Sequence, residues 1–75
     1  MQNKNLAVIA CANGFTLWMY NDRSISVDEM EKEGFFDSVK HLMAIGDVIY
    51  LVAADTVKQC WIKTVNPVSL DQLGE

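Results

Sequence analysis

From Leu6 to Ala12 every position is apolar, and Asn13-Gly14 interrupts the run before Phe15-Thr16-Leu17-Trp18-Met19-Tyr20 resumes it. Both stretches read as strands, the first apolar on both faces. In the second, alternation sets Phe15, Leu17 and Met19 on one side and Thr16, Trp18 and Tyr20 on the other. Asn13 and Gly14 both tolerate positive φ, so the two stretches form either a hairpin or one strand broken by a glycine bulge. Asn21-Asp22-Arg23-Ser24 is a polar turn. Ser26 and Glu29 then have the spacing of a capping box, which predicts a short helix over Asp28–Glu33 ending at Gly34. The same residues also fit an irregular loop around a short strand, Ser24–Val27.

The period changes at Phe35. Phe35, Phe36, Val39, Leu42 and Met43 recur at helical spacing, with Asp37, Ser38, Lys40 and His41 off the stripe. An amphipathic helix follows, with Asp37 as its N-cap and Gly46 as its left-handed stop. Val48–Ala53 is β-branched and aromatic, with Val48, Tyr50 and Val52 on one face and Ile49, Leu51 and Ala53 on the other. Neither face is polar, so this strand is either central in a small barrel or pressed against a second subunit. After an Asp55-Thr56 turn, Val57–Val65 predicts the last long strand. There Cys60 and Ile62 look inward, opposite Val57, Gln59, Trp61, Lys63 and Val65. Asn66-Pro67 ends it, because proline lacks the ladder donor and restricts the residue before it. The tail Val68–Leu73 adds an edge strand or docks on a neighbour. The pattern predicts a mainly β domain with one short helix (α+β), a small barrel-like or sandwich-like unit of four to five strands.

Length turns this pattern into an argument about assembly. The chain has 75 residues, room for a single domain over 1–75. So small a domain buries proportionately little surface and compensates with disulfides, a metal or oligomerisation. Its two cysteines, Cys11 and Cys60, allow at most one bridge and read as small core residues. A zinc site needs more than Cys11, Cys60, His41 and one carboxylate, so no metal or cofactor is assigned. Homo-oligomerisation remains, and a hydrophobic content of 51% agrees with it.

Charge narrows the partners. The net charge is −4, and the six basic residues Lys4, Arg23, Lys32, Lys40, Lys58 and Lys63 are scattered, which argues against nucleic acid as a partner. Asp28, Glu29, Glu31 and Glu33 read as a solvated acidic surface without the ligand alternation of a calcium loop. Lys4 followed by Leu6–Ala12 superficially imitates a signal peptide, but the apolar run is short for a signal core and far too short to span a bilayer. It reads as a retained first strand, with no membrane partner.

No residue set suggests an enzyme. His41, the only histidine, lies four residues from Asp37, the spacing of an exposed helical pair. No Ser or Cys has an activating context. Asn13-Gly14 and Gly46-Asp47 read as turns, with no glycine-rich phosphate loop. No catalytic residue is assigned. The aromatic residues are more informative, because Trp and Tyr bury large area at low entropic cost and are enriched in interfaces. The candidate interface residues are Leu6, Val8, Trp18, Tyr20, Tyr50, Val52 and Trp61. Trp61, flanked by Gln59 and Lys63, is the strongest of them, whereas Trp18 fits a barrel core equally well.

Three segments also carry a resemblance: Asn13-Gly14-Phe15-Thr16-Leu17-Trp18-x-Tyr20, Gly34-Phe35-Phe36-Asp37 and Leu42-x-x-x-Gly46-Asp47-x-Ile49. In this order the chain resembles a group of small structural proteins of tailed bacteriophages over Asn13–Val52. It departs in carrying Met19 where a histidine is common, Phe36-Asp37 for Tyr-Asn, and one extra residue before Gly46. The resemblance implies a non-enzymatic virion component assembled in the host cytoplasm. Its implied role is a head decoration or cement protein, often a trimer, that binds the phage major capsid protein. A tail, baseplate or fibre adaptor module is the alternative, and an SH3-like protein-binding regulator is the second.

Overall fold

The structure, a computed structural model, describes residues 2–12 and 14–72. Among the described residues five strands form one sheet: β1 (Leu6–Ala12), β2 (Phe15–Asn21), β3 (Val48–Val52), β4 (Val57–Val65) and β5 (Val68–Gln72). Their spatial order is their chain order, β1-β2-β3-β4-β5. The β1–β2, β3–β4 and β4–β5 pairs are antiparallel, and β2–β3 is parallel. The sheet is therefore mixed and open, and the barrel-like alternative is corrected: β1 and β5 are its two edges. The first two strands pair as a hairpin through the turn at Gly14, while Asn13 lies outside the described residues. The tail supplies the edge strand β5; Leu73, placed in the same tail, also lies outside them.

A parallel pair needs a long connection, and here it is the segment 22–47, which crosses one face of the sheet. It contains α1 (Val27–Met30) and a 3-10 stretch, Asp37–Leu42. Ser26 caps α1 by accepting from the Glu29 amide at 3.4 Å, as the capping-box spacing predicts, but the helix closes at Glu31, short of Gly34. From this segment Val27, Met30, Phe36, Val39 and Met43 pack onto Trp18, Tyr20, Ile49, Leu51, Cys60, Ile62 and Val68. The result is a two-layer domain with its core on one side of the sheet only. Tyr20, Phe35 and Phe36 meet edge to face, with ring centroids 4.9–5.7 Å apart. This geometry aligns positive ring edges with negative ring faces.

The helix expected from Phe35 to Met43 is the main local correction. Its stripe is real at Phe36, Val39 and Met43, but the backbone is 3-10, broken at Val39 (φ −121°), and Leu42 is exposed. Asp37 caps nothing. Its Oδ1 accepts from the Val68 amide at 2.8 Å, while the Gly34 amide donates to the Val68 carbonyl at 2.8 Å. The connection is thus tied to β5, and that tie displaces a regular helix. Gly46 does adopt the left-handed backbone (φ +97°) with open space where a Cβ would lie, so the need there is conformational. Its amide donates to the Ile62 carbonyl at 2.9 Å, and the Ile62 amide donates to the Asp47 carbonyl at 2.8 Å.

Candidate interaction surface

The strand registers give the sheet's two faces row by row. On the covered face run Leu6–Tyr20–Leu51–Lys58 and Val8–Trp18–Ile49–Cys60–Gln72. On the opposite face run Ala7–Met19–Tyr50–Gln59 and Ala10–Leu17–Val48–Trp61–Asp71. Leu17, Met19, Val48, Tyr50 and Trp61 are half-buried there, and none of them belongs to the core cluster formed with the connection or packs against it. The Gln59 amide donates to the Tyr50 hydroxyl at 2.7 Å, fixing the ring against the sheet. Val52, between Asn21 and Val57, completes this side and is buried there by its neighbours, outside the core cluster.

The proposed interface aromatics therefore divide. Tyr50 and Trp61 lie on the open face, as alternation requires. Trp18 and Tyr20 are corrected: at 6% and 0% exposure they belong to the core of the single chain. The Tyr20 hydroxyl accepts from the Gln2 amide at 2.9 Å and lies 3.5 Å from Asp22 Oδ2. Leu6 packs half-buried against the core margin, and Val8, at the β1 edge, is exposed. Cys60 is a core residue as expected, but Cys11 is exposed; both thiols are free.

Asp47 is the residue that pattern reasoning missed, taking Gly46-Asp47 for a turn alone. It is 3% exposed, and its carboxylate collects three donors: the Thr16 amide on Oδ1 at 3.0 Å, and Trp18 Nε1 and the Ala44 amide on Oδ2, each at 3.1 Å. A buried indole needs an acceptor, and an acid inside Ala44-Ile45-Gly46-Asp47-Val48-Ile49 is the signal that one is supplied. The Trp18 and Asp47 segments are thus bonded to each other, which gives them a structural role.

Other polar groups are similarly occupied. Glu31 Oε2 meets Lys58 Nζ at 2.7 Å and lies 3.5 Å from Cys60 Sγ. Burial, and then the bond to Glu31, push the Cys60 thiol up to about 12, so it stays protonated and inert. The bond to Glu31 holds the Lys58 ammonium above its ordinary value. Asp22, held below the usual carboxylate range by the Ser24 hydroxyl and amide, lines a shallow cleft of about 270 Å³ beside Gln2 and Tyr20. That cleft contains no His, Cys or Lys. His41 is exposed, and its expected partner Asp37 is engaged with Val68. Among the described residues no three His, Cys, Asp or Glu side chains gather as metal ligands, and no helix is long and apolar enough to cross a membrane.

Compared with protein-family models, with curated proteins and with solved structures, the chain has no match in any of the three.

Proposed function

We propose that this protein is a non-catalytic structural component that assembles with copies of itself and with a larger protein surface through the open face of its sheet. The observation that carries the reading is the apolar layer of Leu17, Met19, Val48, Tyr50 and Trp61, which the connection 22–47 leaves without cover. A sheet apolar on both faces is stable when both are buried, and here the described residues supply one cover. The resemblance in the Asn13–Tyr20, Gly34–Asp37 and Gly46–Ile49 segments supports a specific setting: the protein decorates or cements the head of a tailed bacteriophage, with the major capsid protein as the larger surface.

Trp61→Ala tests the reading by sedimentation, alone and with assembled capsid shells. Trp61 is half-buried on the open face, so its truncation leaves the core intact. Loss of an anchor costs about 2 kcal/mol or more, which weakens association and shell binding about 30-fold. A variant that assembles and decorates like the native protein refutes the proposal. Copy number in purified particles separates a shell component, present at every lattice site, from a tail or baseplate part.

A further inference from the structure

The two edges of the sheet are built differently. An edge strand offers unpaired backbone donors and acceptors, and soluble proteins usually blunt it with charge, proline or a bulge. The edge strand β5 begins just after Pro67, has Val68 tied to Gly34 and Asp37, and carries exposed Asp71 and Gln72. The other edge, β1, reads Leu-Ala-Val-Ile-Ala-Cys-Ala, without charge or proline. Its residues from Ala7 to Cys11 are exposed, Val8 at 51% and Ile9 at 47%. The register shift between Val8 and Ala10 is its one protective device. No described strand lies beyond it.

Charge selects the occupant of this edge. Of the acidic residues on the connection, Glu31 pairs with Lys58 on β4, while Asp22 and Glu29 line the cleft beside Gln2 and Tyr20, near the Leu6 end of β1. β1 itself carries no charged side chain, so a second β1 laid against it sets no like charges opposite one another. Meeting at β5 would bring Asp71 of both copies together.

We propose that β1 pairs antiparallel with β1 of a second copy across a two-fold axis, joining both molecules into one sheet. The inference rests on the self-assembly proposed above and names a second surface for it. The pairing is closed, because it consumes the uncharged edge of each chain and leaves the two Asp71-bearing edges outside. It also makes the open apolar faces of the two copies continuous. The assembly is consequently even-numbered, in place of the trimer that the resemblance implies.

The test combines sedimentation equilibrium of native protein and Val8→Lys with hydrogen exchange of the native β1 amides at low and high concentration. Val8 is an exposed edge residue, and an unchanged far-ultraviolet spectrum verifies the variant's fold. The expected results are a native dimer, a dissociation constant raised about tenfold or more in Val8→Lys, and concentration-dependent protection of β1 amides. A native trimer, or exchange in β1 that is independent of concentration, overturns the inference. If Trp61→Ala weakens association and Val8→Lys does not, the edge pairing is wrong and the open-face reading stands. The converse removes the open face and keeps the edge, and a native protein that remains monomeric at millimolar concentration removes both.

Discussion

Replacing Asp47 with asparagine keeps the side chain's shape and exchanges one acceptor for a donor. In the native protein Oδ2 receives Trp18 Nε1 and the Ala44 amide, and Oδ1 receives the Thr16 amide at 3.0 Å. The least costly arrangement leaves the asparagine oxygen at the two-donor position and turns its NH₂ toward the Thr16 amide. One charge-assisted bond is then lost, two are weakened, and two donors oppose each other in a site only 3% exposed. Hydrogen bonds to charged groups contribute about 1.5–3 kcal/mol, and an unpaired buried donor costs about 1–3, so the expected loss is about 2–4 kcal/mol. A domain of 75 residues has about 4–11 kcal/mol in total. At a urea slope of about 1 kcal/mol per M, the unfolding midpoint followed by tryptophan fluorescence falls by about 2–4 M. Trp18→Phe removes one of the same bonds, and a double-mutant cycle between the two sites should return a coupling of about 1 kcal/mol or more. A midpoint shift in Asp47→Asn below about 0.5 M, or additive single effects, would refute the assignment of Asp47 as the acceptor holding Thr16, Trp18 and Ala44 together.

Thiol labelling at mildly alkaline pH should modify Cys11 and leave Cys60 untouched until the chain unfolds; equal rates at both would show that the Cys60 site is open. The folded Cys60 thiol titrates at about 12, above its ordinary 9.0, so between these values the unfolded chain has lost a proton that the folded chain keeps. Stability therefore falls as pH rises through that window, by about 1.4 kcal/mol per pH unit. Urea titrations should show a steeper fall in the native protein than in Cys60→Ala, in which the raised Lys58 ammonium still contributes at the upper end of the window. Asp37→Ala strands the buried Val68 amide and should cost about 1–3 kcal/mol, with faster hydrogen exchange along β5; unchanged exchange there would show that Asp37 does not hold the edge.

What could be read from the residue pattern was local. The span Val57–Val65 and its end at Asn66-Pro67 follow from alternation and proline chemistry, and the Ser26–Glu29 cap follows from spacing. What failed depended on distant partners. The Phe35–Met43 stripe predicted a regular helix, but Asp37 and Gly34 bond Val68, a segment that no helical period can foresee. Trp18 and Tyr20 have the same residue chemistry as Tyr50 and Trp61. Only the path of the connection 22–47 decides which pair is covered, and only the folded chain brings Asp47 to the Trp18 indole. Cys11 and Cys60 likewise differ in the distance of their strands from that connection.

The parallel seam between β2 and β3 governs how this molecule can form. The β1–β2 hairpin and the β3–β4–β5 meander each join strands that are neighbours in the chain, so either half can zip from its own turn. Their union must wait until the intervening tether has been reeled in, an entropic toll on closure that neither half meets alone. The carboxylate of Asp47 stands at the head of that seam as its latch. Cutting the tether would leave two fragments with intact local pairing, and their reunion would become a matter of concentration.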